Sequence, residues 1–209
     1  MDSINHIDNH NDAYKFFPNI KDNLKQKLLI DTVGMYSIST PKKADIISRI
    51  ISDCFSKYVP AKKIIVTDAM AGVGGNVISF AKHFGHVNAI EIDPVRFKYM
   101  VSNCNLFGCH NITPIQHNYL DLYTQIKQDV IFIDPPWGGK TYKEFESIHL
   151  SIGDMSIEKL CKQIIDNKLC KLLVLKLPKN IDLSILMPFP KKKLYDLKKM
   201  ILVLIYSSI

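Results

Sequence analysis

Two short strings place acidic, glycyl and aromatic residues where an apolar run hands over to a turn. The first, Asp68-Ala69-Met70-Ala71-Gly72-Val73-Gly74-Gly75-Asn76, follows Ile64-Ile65-Val66-Thr67. Three glycines at such a handover let the backbone turn tightly and let a ligand approach without an intervening Cβ. The frame is not the GxGxxG of dinucleotide-binding loops. Asp68, four positions before Gly72, would repel a pyrophosphate. A carboxylate there suits a cationic amino-acid moiety, such as the ammonium of S-adenosylmethionine. Glu91 ends a second apolar run 19 residues after Gly72, a spacing at which a carboxylate can accept both hydroxyls of a ribose. Asn118 follows a third run and could contact an adenine edge or cap a turn.

The second string, Asp134-Pro135-Pro136-Trp137-Gly138-Gly139, follows the very apolar Val130-Ile131-Phe132-Ile133. Two prolines remove backbone donors and stiffen the turn. Carbonyls at such a turn point into a ligand crevice, and the only tryptophan of the chain comes next. The group suits a planar base held by stacking, its exocyclic amine hydrogen-bonded to Asp134 and a proline carbonyl. An amine so held can attack a methyl sulfonium in line. Asp134, Pro135 and Trp137 are the candidate catalytic residues. Asp68, Gly72, Gly74, Glu91 and Asn118 are candidates for the cofactor. A ligand-free glycine turn and a tight turn over a buried tryptophan are the plainer readings of the two strings.

Periodicity supplies the elements that must position them. Short apolar runs at 64–67, 87–92, 112–116, 130–133 and 171–177 predict strands, and helical patterns at 76–84, 94–107, 120–126 and 156–167 alternate with them. Such alternation implies an α/β fold, a mostly parallel doubly wound sheet with helices on both faces. Upstream, residues 13–31 predict a helix. Thr40 then Pro41 predicts an N-cap with proline in the first helical position, before Ile46, Ile47, Ile50, Ile51, Cys54 and Phe55 at helical spacing. Residues 194–197 and 200–206 predict a hairpin or two edge strands. The expected organisation is a disordered polar leader (1–12), an N-terminal helical extension closing over the site (13–60) and the catalytic domain (61–209).

The 209 residues are 47% apolar and 22% charged, enough for one domain with a full core. Five scattered cysteines without a CxxC pair argue against a zinc site or a disulfide framework and for a reducing compartment. No apolar run approaches a membrane span, and the N-terminus lacks the apolar centre of a signal peptide. A nuclear or cytoplasmic location is expected. A net charge of +7 is compatible with a polyanionic partner.

With both strings in view, the chain resembles the trimethylguanosine synthases, the RNA cap guanine hypermethylases. The resemblance runs from about Lys15 to the C-terminus. It rests on Gly72-Val73-Gly74-Gly75-Asn76 and Pro135-Pro136-Trp137-Gly138-Gly139, with Tyr36-Ser37-Ile38-Ser39-Thr40-Pro41, Ile90-Glu91-Ile92-Asp93-Pro94 and Leu177-Pro178-Lys179-Asn180 beside them. It implies a class I, Rossmann-like S-adenosylmethionine-dependent methyltransferase, working without a metal on the 2-amino group of a 7-methylguanosine cap. Capped RNA or a 7-methylated guanine nucleotide would be the partner, and the protein a monomer. Asp68, Gly72 and Glu91 would hold the cofactor, and Thr40 would close over it. Trp137 would stack on the cap base, with Asn103 and Pro135 orienting it. Lys15, Tyr142 and Lys179 would meet the cap phosphates. A 7-methylguanine is cationic, and a cation over a tryptophan face gains about 0.5–2 kcal/mol. Lysines around a triphosphate bridge would neutralise it. Asp134 stands where many members carry serine, which would put an anion beside that cationic base.

Other features read more plainly. The seven histidines show no HExxH spacing, and their one HxxxH pair, His6 and His10, falls in the polar leader. Lys191-Lys192-Lys193 suits a solvated turn better than an RNA contact. Two further functions stay open: methylation of another amine, in adenine or ribosomal guanine, and a catalytically silent cofactor- or RNA-binding subunit.

Overall fold

The computed structural model describes residues 12–207, Lys140 by its backbone alone. The leader expected at 1–12 falls outside the described residues except for Asp12. The extension opens with a 3-10 turn, Ala13–Phe16, then two short helices, α1 (Asp22–Lys25) and α2 (Thr32–Ser37), and the longer α3 (Pro41–Phe55). The single helix expected over 13–31 does not form. Pro18 lies inside it, removes a backbone donor and disfavours a helical residue before it. Phe17 is accordingly extended. The segment is an irregular strap that buries Phe17, Leu28 and Ile30 one at a time, with Phe17 stacked on Phe107 at 6.3 Å.

From residue 65 strand and helix alternate: β1 (Ile65–Asp68), α4 (Gly75–His83), β2 (His86–Glu91), α5 (Pro94–Leu106), β3 (Ile112–Gln116) and β4 (Val130–Ile133). Asp93 starts α5 by accepting from the Val95 and Arg96 N–H groups, each at 2.9 Å. The helix expected at 120–126 is only a 3-10 turn, Tyr119–Asp121. The N–H groups of Leu122 and Tyr123 both go to the Tyr119 carbonyl, so the turn tightens and stops. A small hairpin that periodicity did not predict, β5 (Ser151–Ile152) and β6 (Met155–Ser156), precedes α6 (Ile157–Asp166) and β7 (Leu172–Pro178). The chain then folds back through β8 (Lys192–Asp196) and β9 (Met200–Tyr206).

The main sheet has the order β3-β2-β1-β4-β7-β9-β8. Its first five strands are parallel, and β9 runs antiparallel to both β7 and β8. The C-terminal pair is thus a hairpin with β9 inside the sheet and only β8 on the edge. Alternate side chains build two cores. Val66, Phe132, Val174, Leu202 and Leu204 face α4 and the extension, and Ile131, Ile133, Leu173, Leu175, Val203 and Ile205 face α6. Strand order reverses between β1 and β4, so the crevice outside their carboxyl ends is where a ligand belongs.

Candidate active site

A cavity of about 740 Å³ opens at that point, within the range of about 300–1,000 Å³ usual for small-molecule sites. Its walls come from the extension (Ser37 to Thr40, Lys43), the ends of β1 and β2 (Ala69, Met70, Glu91), the turn after β3 (Asn118), the Asp134–Trp137 turn after β4, and Lys176 on β7. Of the predicted site residues, Thr40, Glu91, Asn118, Asp134, Pro135, Trp137 and Tyr142 line it. Asp68, Gly72 and Gly74 are not among the lining residues; Asp68 ends β1 next to Ala69, and Gly72 and Gly74 follow Met70 in the glycine loop.

Asp68 ends β1 and is fully buried. Its Oδ1 accepts from the Met70 N–H at 3.3 Å, while Oδ2 has no hydrogen-bond partner among the described residues. Burial pushes its carboxyl up to about 8; the Met70 N–H pulls the other way, and Asp134 and Glu91 add to the rise. Ser39 Oγ and Asn76 Oδ1 are also buried without partners. Buried polar atoms left open in this way are costly unless a ligand completes them. Glu91 accepts from the Gly72 N–H at 2.8 Å and the Asp93 N–H at 2.9 Å, which fixes its carboxylate at the cavity edge with lone pairs to spare. A buried carboxylate awaiting a cation and a second carboxylate held at ribose spacing fit S-adenosylmethionine. Among the described residues no cluster of His, Cys, Asp or Glu could hold a metal ion. Asn118 both lines the cavity and caps a turn, accepting from the Leu120 N–H at 3.1 Å.

The extension is fastened to this loop. Gly74 is left-handed (φ 99°), and a Cβ there would stand 3.3 Å from Cys104 Sγ. A Cβ on Gly75 would stand 2.5 Å from Ile38 Cγ1 and 3.2 Å from the Ser39 carbonyl oxygen. Arg96, on the cavity wall, reaches Asp31 and Asp93 at 3.3 Å and Glu91 at 3.6 Å, joining the extension to the Glu91 carboxylate. Asn103 plays a different part from the base contact that the resemblance implies. It is fully buried away from the cavity lining. Its Nδ2 donates to the carbonyls of Leu29 and Val73, at 2.8 and 2.9 Å, and its Oδ1 accepts from the Leu29 N–H at 2.9 Å. It straps the irregular segment to the glycine loop and has no donor left for a base. Thr40 is the N-cap of α3, but its hydroxyl makes no cap hydrogen bond.

After β4 the chain makes the Pro-Pro turn, with Gly138 and Gly139 at φ 86° and 77°. Trp137 meets Tyr142 edge-on, ring centroids 5.2 Å apart. The register Ile133↔Leu175 between β4 and β7 sets Asp134 beside Lys176. Lys176, missed by sequence reasoning, donates to Asp134 Oδ2 at 2.5 Å, and its Nζ lies 5.4 Å from the Trp137 ring centre. Burial pushes the Asp134 carboxyl up, and the Lys176 ammonium holds it back. The anion that the sequence places beside the base thus has a lysine partner within the protein. One signal could have found Lys176: it is the lone charge inside Leu172-Leu173-Val174-Leu175-Lys176-Leu177-Pro178, and a charge in a fully buried strand needs a partner.

Two implied phosphate contacts lie elsewhere. Lys15 pairs with Asp12 and Lys179 with Asp196, each at 2.8 Å, and both ammoniums lie outside the cavity lining. The lysines that do line it are Lys43, Lys143, Lys176 and Lys199.

Sheet order and cavity together define a class I S-adenosylmethionine-dependent methyltransferase. More closely, the chain belongs to the RNA cap guanine-N2 methyltransferase family, whose model matches residues 63–206. An uncharacterized protein of Acanthamoeba polyphaga mimivirus is 32% identical over 203 residues, covering 88% of this chain and 78% of that protein. The trimethylguanosine synthase of Schizosaccharomyces pombe is 30% identical over 59% of this chain, and that of Saccharomyces cerevisiae 24% over 78%. The chain spans about half the length of these two synthases, 52% and 55%. Among solved structures, an RNA methyltransferase from Salinibacter ruber in complex with S-adenosyl-L-homocysteine superposes with a TM-score of 0.57 at 16% identity, covering 81% of this chain and 94% of that one. A precorrin-6y C5,15-methyltransferase from Geobacter metallireducens gives 0.58 at 15%, covering 92% and 100%. These two likenesses are of fold.

Proposed function

We propose that the chain transfers a methyl group from S-adenosylmethionine to the exocyclic 2-amino group of a guanine that already carries a 7-methyl group, at the cap of an RNA. The observation that carries this reading is the place of Trp137. The only tryptophan of the chain lines the cavity, within two to three residues of Asp134 and Pro135. A stacked cationic base would present its amine to the Asp134 carboxylate and the Pro135 carbonyl.

S-adenosylmethionine would supply a methyl group whose bond to the positively charged sulfur breaks as the amine nitrogen bonds to the carbon. The residues of the chain do the rest. Asp68 would take the cofactor ammonium and Glu91 the ribose hydroxyls. Trp137 would fix the plane of the base, and Asp134 its amine. As the new bond forms, the amine proton becomes acidic and passes to Asp134 or to water. Ser37 to Thr40 would close the cavity, and exclusion of water would sharpen each electrostatic contact.

The test is transfer of radiolabelled methyl from S-adenosylmethionine to 7-methyl-GTP and to GTP side by side. Label on the 7-methylated nucleotide alone is the expected result, and chromatography of the product would count the methyl groups. Label on neither, with cofactor bound, would move the acceptor to an amine of adenine or of ribosomal guanine, or leave a silent subunit.

A further inference from the structure

Lys176 is 3% exposed and sits among apolar neighbours on β7. An ammonium there is kept only where its donors are used. One goes to Asp134 Oδ2 and another reaches the Ser37 carbonyl at 3.5 Å. Asp134 belongs to the turn that would hold the methyl acceptor, and Ser37 to the extension that would cover it. The pair is thus a polar link between the acceptor side of the site and its cover.

The chemistry of the acceptor makes the state of Asp134 decisive. A carboxylate only accepts hydrogen bonds, whereas a carboxylic acid also donates one. An attacking amine needs its N–H held and its lone pair free. An acid O–H aimed at that nitrogen would occupy the lone pair and stop the attack.

We propose that Lys176 is a positioning residue: its ammonium keeps Asp134 an acceptor-only carboxylate facing the methyl-accepting amine, and couples that grip to the closed extension through Ser37. This rests on the reading of Asp134 given above. Other charged groups approach from Asp68 on β1, Glu91 on β2, His117 after β3, Lys43 on α3, Lys143 after the Trp137 turn and Lys199 in the β8–β9 turn. Among the described residues Lys176 is the one that hydrogen-bonds the Asp134 carboxylate. Burial drives Asp134 toward the neutral acid, so losing Lys176 leaves that drive unopposed at the carboxyl.

The experiment compares the intact chain with Lys176→Met, Lys176→Arg and the double variant Lys176→Met with Asp134→Asn. The emission of the only tryptophan, Trp137, is followed against pH without substrate, and kcat against pH with it. Lys176→Met should gain an emission transition at roughly pH 5–8 that the parent lacks. The arginine variant should lack it, and the double variant should lose it, which separates Asp134 from Asp68. At neutral pH kcat of Lys176→Met should fall by up to about tenfold, the loss set by the protonated fraction of an acid titrating at the top of that range, and recover as pH rises, with cofactor affinity within about threefold of the parent. An unchanged pH profile in Lys176→Met, or a transition that persists in the double variant, would overturn the proposal. If the methionine variant does not fold by circular dichroism, Lys176→Gln takes its place with the same expectations. The titration needs no methyl acceptor. Failure of the substrate reading would therefore appear separately, as a parent protein that does not label 7-methyl-GTP.

Discussion

Gly75 and Ile38 meet without room between them: a Cβ on Gly75 would fall 2.5 Å from Ile38 Cγ1. Gly75 opens α4 after the glycine loop, and Ile38 is the C-cap of α2 in the extension. The glycine loop and the extension are therefore in direct contact.

This contact makes Gly75→Ala a test of the cover. Overpacking of this kind costs about 1–3 kcal/mol, here at a junction that can give way by lifting the extension. The expected result is a folded protein whose cofactor affinity drops about tenfold and whose residues 32–40 become open to limited proteolysis. Ile38→Ala should restore affinity in the Gly75→Ala background. Unchanged affinity and proteolysis in the single variant would mean that the extension does not cover the cofactor.

Asp68 gives the cofactor site a pH signature. Its carboxyl stands at about 8 in the folded chain, against about 3.9 for a free aspartate. The folded state thus holds a proton that the unfolded state has lost, and the Asp68 contribution to stability, full below about pH 4, fades as pH rises to about 8. A ligand ammonium would expel that proton. Affinity for S-adenosylhomocysteine should therefore rise by up to about tenfold per pH unit below pH 8 and level off above it. Calorimetry across pH 6–9 measures this. 5′-Methylthioadenosine, which has no ammonium, should show no such slope, and neither should Asp68→Asn. A slope shared by both ligands would remove Asp68 from the cofactor ammonium.

On the proposed function, Trp137 is the residue that would recognise the methylated base. Trp137→Ala should lose about 100-fold or more in methyl transfer and keep cofactor affinity within about threefold, because Asp68 and Glu91 are untouched. Trp137→Phe should keep the stack and lose part of the cation attraction, narrowing the preference for 7-methyl-GTP over GTP by about 2- to 30-fold. Near-normal turnover in Trp137→Ala would end the stacking role.

The strand ends were legible because their signals are local. Asp68, Glu91 and Asp134 each close an apolar run and are followed by glycine or proline punctuation, and the sheet brings all three to one end. Lys176 was harder, since its meaning depends on a partner 42 residues away that only the β4–β7 register supplies. Asn103, Lys15 and Lys179 show the converse. Their types suit a base or a phosphate, and other neighbours claimed them first: the Leu29 backbone and Asp196 through contacts distant in sequence, and Asp12 from three residues before Lys15. The strap at 13–31 differs from its pattern because its apolar residues recur often enough for a helix, while Pro18 interrupts one.

The same difference yields a ranking of lysines. Lys43 lines the cavity, and its pKa is held down by burial and by the ammoniums of Lys176 and Lys199. Ammoniums that repel one another across a cavity wall gain from an anion placed between them. Lys15 and Lys179 would first have to leave Asp12 and Asp196. Lys43→Ala and Lys199→Ala should therefore each raise KM for 7-methyl-GTP about tenfold, the size of one charge-assisted hydrogen bond, and leave KM for 7-methylguanosine unchanged. Lys15→Ala and Lys179→Ala should stay within about twofold on both, as exposed ion pairs do. The KM for 7-methyl-GTP in the first two variants should also depend less steeply on salt, since fewer cations meet the phosphates. If instead Lys15→Ala and Lys179→Ala weaken the nucleotide and spare the nucleoside, the triphosphate runs along the outer face of the extension and the β8–β9 hairpin, and the extension must swing on binding to free both lysines from their carboxylates.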